Sequence, residues 1–598
     1  MNTKISNRLL FVSLLLCSLV AVNAQAQEIE WAVAAQSMNE ELATAVSADA
    51  NYIYHAGDLD GRVIFGDGDR NETLVAGQNY VARYTHSGAV DWVAGILSDS
   101  FPLRITSMDS DPAGNVYIAG EVENGSVHTF GSGEPNEATL DSGFNATDAF
   151  IAKFSNTGAF EWVRSGGINE QNGARDIVVD KYGGSHTIGY YRTNIIFGAE
   201  GMTPAVELLS EGGELDNDLF IVKFDTHGDL VWARTAGSAI GSDTGLSIDL
   251  DHKNNIYAAG HIYRGGVFGK GTKAEKVVAT QGQSDGFLAR FTPTGRPIWV
   301  VTMGGASFDQ ASDLVNKKGK TVVVGTFNET ATFGSTDGAT QQLVEASFRN
   351  VFVARYNRAG ELAWVNPIYQ DNDFDGSRDV GYGEGSQSCV MGNHFDAATF
   401  GAGEANEVTL NSPGDADMYF ACYSGNGVFQ WVEPDPASLK AGTMTSDGEI
   451  IVAGGYQNNT FFGPLDPNDE LLLNAGARDI FLAKYLSLPP EFGFTTEAKI
   501  QTDELKVEAQ TSSFTLFGNY PNPFNPQTTI RFGLNSTAQV NLQVYDMTGR
   551  LVSTLVSGTL DAGNHEVTFE AADLPSGMYV YRLATPDAQV TRLMSLLK

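Results

Sequence analysis

Short runs of apolar residues, some alternating with polar ones and some continuous, recur along most of the chain and are punctuated by glycine, asparagine and aspartate, which is the signature of many short strands joined by turns. Asn115-Val116-Tyr117-Ile118-Ala119-Gly120 is one such run, echoed at Asn255 to Gly260, Thr321 to Gly325 and Ile450 to Gly454. Ala174 to Asp180 is another. A third recurs as Asp148-Ala149-Phe150-Ile151-Ala152-Lys153-Phe154, with counterparts at Asn79 to Tyr84, Asp218 to Phe224, Asp285 to Phe291, Asn350 to Tyr356, Asp417 to Tyr423 and Asp479 to Tyr485. In the first six of these a tryptophan follows the leading aromatic at a constant spacing, as in Tyr80 to Trp92 and Phe150 to Trp162. Between them stands a turn ending in Gly88, Gly158, Gly228, Gly295, Gly360 or Gly427, where a positive φ is easy. Each unit therefore contains a β-hairpin.

A Phe-Gly pair closes each unit, from Phe65-Gly66 to Phe462-Gly463. Seven copies of a four-stranded unit predict an all-β, seven-bladed β-propeller, each blade packing its apolar face on the next. The repeated aromatics are then core between blades. The seventh copy lacks a tryptophan, because Gly493 occupies its place in the proline-containing stretch Pro489 to Phe494. Conversely, Ile29-Glu30-Trp31-Ala32-Val33-Ala34 is a tryptophan strand without its preceding strands. The N-terminal strand is expected to complete blade seven, closing the ring and removing an exposed edge.

After Tyr485 the repeat stops. Residues 487–515 read as a linker, and residues 516–598 resume alternation at Thr528 to Phe532, Val540 to Asp546, Leu551 to Leu555, His565 to Phe569 and Leu574 to Leu583, which predicts a small C-terminal immunoglobulin-like β-sandwich. At the other end, Lys4 and Arg8 precede an apolar run from Leu9 to Val22 and small residues around Ala24 and Ala26, the pattern of a secretory signal peptide over residues 1–26. That run is too short to span a bilayer, so no transmembrane segment is expected in the mature chain. The propeller is assigned to residues 27–486.

Composition refines this picture. At 42% apolar and 18% charged residues the chain can bury a large core. A formal charge of −35 would repel a phosphate backbone, which argues against nucleic acid as a partner. Once the signal is removed, Cys389 and Cys422 are the only cysteines, both in blade six on neighbouring strand segments, where one disulfide is geometrically open.

Two stretches resemble known families. The repeats are similar to seven-bladed bacterial propeller repeats of exported proteins, a likeness specific for fold and nearly silent on activity. The tail, with Tyr520-Pro521-Asn522-Pro523-Phe524-Asn525-Pro526, Asp546-Met547-Thr548-Gly549-Arg550, Leu574-Pro575-Ser576-Gly577-Met578-Tyr579 and a basic end, closely resembles the C-terminal sorting domain of type IX secretion cargo. That resemblance implies passage through the periplasm, recognition by the type IX machinery, and an extracellular or outer-membrane-surface location.

Catalytic signals are weak. There is no His-Glu-x-x-His, no Gly-x-Ser-x-Gly and no phosphate loop. Ser-x-Asp-x-Gly-x-Thr-Trp boxes of the sialidase kind are absent too. The acidic residues opening the hairpins, Asp148, Asp218, Asp285, Asp417 and Asp479, repeat in every blade where they occur and so read as turn caps rather than as a catalytic ring. Asp371-Asn372-Asp373-Phe374-Asp375-Gly376 spaces Asp371, Asp373 and Asp375 as a calcium loop would, with Asp379 as a further candidate, although Tyr382 stands where such a loop wants glutamate. The expectation is a surface binding or interaction module for an extracellular protein or glycan. The alternative is a carbohydrate-active or other hydrolytic enzyme with its site on one propeller face.

Overall fold

The computed structural model describes residues 29–35, residues 42–485 with short interruptions that include 371–375, and residues 514–596 with further short interruptions. Residues 1–26, read above as a signal peptide, and the candidate calcium ligands Asp371, Asp373 and Asp375 lie outside the described residues. The chain divides into two compact units, Met1–Gly493 and Phe494–Lys598. Every described regular element is a β-strand. No described helix is long and apolar enough to cross a membrane.

In the first unit the repeat unit is a four-stranded antiparallel meander. Its first strand is in turn Leu42–Ala48, Arg104–Ser110, Asn172–Val179, Thr244–Leu250, Gln310–Lys317, Gly376–Tyr382 and Ser438–Met444. Each of these seven strands packs against the next in chain order, and Ser438–Met444 packs against Leu42–Ala48. They are called the axial strands below.

The recurrent tryptophans and glycines explain each other. Gly88, Gly158 and Gly228 all have φ near 80°, and a Cβ added to them would lie 3.0, 2.8 and 2.8 Å from Trp31, Trp92 and Trp162 respectively. Trp31, Trp92 and Trp162 thus each lie on the turn glycine of the following repeat, where any side chain would collide with the indole. At some junctions the indole N–H adds to the contact, with Trp162 donating to the Thr226 carbonyl at 3.2 Å and Trp299 to the Arg358 carbonyl at 3.1 Å.

Trp31 makes this same contact at the junction of the chain's ends. The strand Ile29–Ala35 pairs antiparallel with Asp479–Tyr485, placing Trp31 opposite Lys484 just as Trp162 stands opposite Lys153 and Trp232 opposite Lys223. Its indole donates to the His86 carbonyl at 2.9 Å. Lys484, almost fully buried, binds Glu30 at 2.7 Å and Glu449 at 2.9 Å. Around it, Ile451, Ala453, Ile480 and Leu482 share one apolar cluster with Ile53, Val63, Phe65 and Tyr80.

In the sixth repeat the residue opposite the tryptophan is Cys422 instead of a cation, and Cys389 is its partner on the adjoining strand. The two are joined as a disulfide, with 4.1 Å between their Cα atoms.

The second unit stacks a three-stranded sheet, Phe514–Tyr520, Gln527–Leu534 and Gly563–Glu570, on a four-stranded one, Leu551–Leu560, Ala538–Asp546, Gly577–Ala584 and Gln589–Leu596. Ile530 and Phe532 from the first sheet and Val540, Leu542 and Tyr581 from the second fill one core. The Leu-Pro-x-Gly-x-Tyr motif is tied locally, because the Tyr579 hydroxyl donates to the Pro575 carbonyl at 2.8 Å.

Candidate functional site

All seven axial strands break register by one residue against their neighbour, at Thr44, Thr106, Arg175, Leu246, Ser312, Arg378 and Lys440. A bulge of this kind inserts an extra residue and re-aims its side chain. Thr44, Thr106, Arg175, Leu246, Ser312 and Lys440 all line a single cavity of about 680 Å³ among the axial strands. The position before the bulge is small or apolar throughout, as in Ala43, Ile105, Ala174 and Ala311, whereas the bulge position itself carries a hydroxyl in three repeats, a cation in three and an apolar side chain in one.

The cavity floor is built by carboxylates that sew strand to strand. Asp176 accepts the Ser107 hydroxyl at 2.6 Å from the preceding axial strand and the Ile248 N–H at 2.7 Å from the following one. Asp313 repeats the arrangement with the Ser247 hydroxyl and the Val380 N–H, both at 2.7 Å. Asp109 takes the Val179 N–H and Asp249 the Asn316 N–H, one layer deeper. Removal from water drives the charged form of each upward in energy. Burial, with repulsion from the neighbouring carboxylates, pushes Asp109, Asp249 and Asp313 up to about 7, and burial raises Asp176 as well. At the cavity margin Asp58 is pushed up to about 7 by burial, against the opposing pull of its Asn79 hydrogen bond and of the Arg104 charge.

The cations lie at the opening. Arg104 and Arg175, on adjacent axial strands, meet on one carboxylate, Glu121, with each Nη1 at 3.1 Å from a different oxygen. The Glu121 side chain is 2% exposed, and the Tyr190 hydroxyl donates to it at 3.2 Å. The Arg175 guanidinium also lies 4.9 Å from the Tyr190 ring centroid. One buried carboxylate therefore fixes two guanidinium groups side by side at the mouth of a polar cavity, an arrangement suited to holding a ligand rather than to moving a proton.

The sequence reading did not pick out this site. Asp379, considered there as a further calcium ligand, follows a bulge, lines the cavity and accepts the Gly442 N–H at 3.0 Å. Among the described residues no group of three or more histidine, cysteine or acidic side chains is arranged to hold a metal ion. Of the hairpin-opening acids, Asp285 accepts the Gln281 N–H at 2.8 Å, the local cap expected of it.

Residues 519–595 match the family described as the secretion system C-terminal sorting domain. The chain also shares 26% identity over 343 residues with an uncharacterized WD repeat-containing protein, L264, of Acanthamoeba polyphaga mimivirus, a match covering 50% of this chain and 24% of that one. This chain therefore spans about a quarter of that relative's length. Among solved structures it overlays on PorZ, a bacterial surface component of the type-IX secretion system of Porphyromonas gingivalis, with 10% identity, 95% of this chain and 100% of that one covered and a TM-score of 0.15. It overlays on the phage phi92 endosialidase with 11% identity, 88% and 74% coverage and a TM-score of 0.24. Both overlays are too loose to carry an argument about shape or activity. The tail is thus a type IX sorting domain, which implies secretion to the cell surface or the extracellular space.

Proposed function

We propose that the first unit is a seven-bladed β-propeller, closed by the strand Ile29–Ala35, that acts as a ligand-binding module at the cell surface, with its ligand in the axial cavity. The cyclic packing of the axial strands and the repetition of the tryptophan contact at Trp31 support the closure. The observation that carries the binding role is the contrast within the repeat itself. The position before each bulge is small or apolar in every repeat, while the bulge position itself is polar or charged in six of the seven, and Thr44, Thr106, Arg175, Ser312 and Lys440 bring those groups to the cavity wall. A purely structural bulge has no need of such groups, and a binding site made from repeated blades requires them.

The domain assignment follows the same division: residues 1–26 as signal peptide, 27–486 as propeller, 487–515 as linker and 516–598 as the sorting domain read by the type IX machinery. A glycan and protein array probed with the mature chain tests the binding role. A saturable ligand lost on Leu246→Trp, which fills the cavity, supports it, and a ligand unaffected by that change refers binding to another surface. Cleavage of a bound glycan would favour the hydrolytic reading. The loop at Asp371, Asp373 and Asp375 remains a calcium proposal, decided by whether the mature chain gives a saturable calorimetric signal that Asp373→Ala removes.

A further inference from the structure

We propose that the axial cavity selects a sugar residue bearing a carboxylate, whose carboxylate lies against Arg104 and Arg175. The inference rests on the reading of this cavity as the binding site and adds the chemistry of what it takes.

The two arginines are held in a defined relation by Glu121, which is withdrawn from solvent at 2% side-chain exposure while Arg104 is 59% and Arg175 24% exposed. Two positive charges on one negative leave a local excess of one, in a protein whose total is −35. Guanidinium carries five N–H donors in a planar fork that matches a carboxylate, and Glu121 engages one nitrogen of each. The tyrosine ring of Tyr190 under Arg175 and its hydroxyl on Glu121 limit the freedom of the pair. An anion entering here meets a pre-arranged fork, so little order has to be imposed on binding.

Of the other charged residues lining the cavity, Lys440 is a further cation, Asp58 accepts the Asn79 amide at 2.8 Å and Asp379 the Gly442 N–H at 3.0 Å. Asp176 and Asp313 spend their oxygens on the Ser107 and Ser247 hydroxyls and on backbone N–H groups of the next strand. Burial raises both, Asp313 to about 7. At the range of the Debye length, about 8 Å in physiological salt, the distant surface acids are screened while the arginines in contact are not.

The rest of the wall points to a sugar instead of a peptide terminus, which would bring a carboxylate of the same kind. Thr44, Thr106, Ser312 and Gln310 line the cavity with hydroxyl and amide groups. Thr106 donates to the Ala174 carbonyl at 3.0 Å and the Gln310 amide to the Ser312 hydroxyl at 3.3 Å, which leaves the Thr106 oxygen and the Gln310 carbonyl as acceptors and the Ser312 O–H as a donor for the hydroxyls of a sugar. Leu42 and Leu246 supply apolar surface for a C–H face. The volume, about 680 Å³, is in the range of ordinary ligand pockets, roughly 300 to 1,000 Å³.

The test is calorimetry on the full mature chain with four probes: a hexuronate trisaccharide, its methyl ester, the neutral hexose trisaccharide of the same linkage, and a tripeptide with a free C-terminus. The expected result is saturable binding of the uronate, at least tenfold weaker binding of the ester and the neutral sugar, and at least a tenfold loss of uronate affinity in Arg175→Gln. Arg104→Gln, at the more exposed arginine, should weaken uronate binding while Arg175 and the Tyr190 hydroxyl still engage Glu121, so the test does not depend on Arg175→Gln folding. Equal binding of all three sugars, abolished by Leu246→Trp, overturns the carboxylate preference while leaving the cavity as a binding site. Uronate binding unmoved by either arginine change and by Leu246→Trp overturns both. Binding of the tripeptide alone, or of no probe, also overturns the proposal.

Discussion

Trp31→Ala should destabilise the first unit by an amount comparable to a deletion in its deep core, because the short strand that carries it is bound into the sheet of the last repeat. Trp31 is 9% exposed and lies on Gly88, in the cluster that joins Ile451 and Ile480 to Ile53 and Phe65. Truncating a buried tryptophan costs about 3 to 5 kcal/mol. Within that total, the indole N–H bond to the His86 carbonyl accounts for about 1 kcal/mol. Trp31→Phe, which keeps most of the burial and loses the bond, should therefore cost about 1 to 2 kcal/mol. The strand Ile29–Ala35 is held to Asp479–Tyr485 by side chains and ladder bonds alone, so loosening it should also bare the Asp479–Tyr485 edge and promote association. Urea unfolding followed by near-ultraviolet circular dichroism, with light scattering on the native protein, reads both effects. Trp162→Ala, the same contact between blades that are consecutive in sequence, is the control: it should cost a similar amount without baring an edge. A Trp31→Ala protein with an unchanged midpoint and no tendency to associate would refute the closure.

Three further outcomes are expected. Asp109, Asp249 and Asp313 are raised from an ordinary 3.8 to about 7, so between about pH 4 and 7 the native state holds protons that the unfolded state has released. Stability should fall as pH rises through that window, by at most about 4 kcal/mol for one such group. Asp180 and Asp251 are low in spite of burial because of bonds to Lys223, to Asn255 and to backbone N–H groups, and they weaken the fold again in stronger acid. A urea midpoint that rises from pH 5 to 8, or a slope that Asp249→Asn leaves unaltered, contradicts this. Reducing the Cys389–Cys422 bridge, which closes a loop of 33 residues, should cost about 3 to 4 kcal/mol, and mass spectrometry showing two free thiols in the secreted native protein would count against it. Deleting residues 516–598 should leave a folded first unit in the periplasm, since the two units have separate cores, and normal surface or medium levels of the truncated protein would remove the sorting role.

What the sequence made legible is what the repeat holds constant. Tryptophan and turn glycine recur because each indole covers a site where a Cβ would collide, a pairwise demand made in the same way between successive blades. The tail motif was equally readable, since Tyr579 and Pro575 satisfy each other within five residues. The binding cavity was not. Ala174-Arg175-Asp176-Ile177 looks like any strand of period two, and one inserted residue reverses which face every later side chain takes. Reading it as regular puts Arg175 and Asp176 on opposite faces, whereas both line one cavity. Glu121 carried no mark either, because its partners Arg104 and Arg175 come from two different repeats. A signal was nevertheless present: with the seven axial strands aligned on each other, the residue at the bulge is polar or charged in six of the seven while the one before it stays small or apolar.

That separation has a physical basis. The bulge residue is unpaired in the ladder, so its side chain is not fixed by strand pairing, although Thr106 also reaches the Ala174 carbonyl of the next axial strand at 3.0 Å. The carboxylates beside it take over the work of joining strands, as Asp176 and Asp313 do by reaching the next axial strand. Stability and recognition thereby rest on neighbouring residues of the same strand. Changing Leu246 or Ser312 should alter what the cavity accepts at little cost to folding, whereas Asp313→Ala would leave the Val380 N–H and the Ser247 hydroxyl without their acceptor, at about 1 to 3 kcal/mol for each buried group so orphaned. Paired measurements of urea midpoint and ligand affinity on Ser312→Ala and Asp313→Ala test the division. If Ser312→Ala lowers the midpoint as far as Asp313→Ala does, the bulge position belongs to the scaffold and the variety found there has another origin.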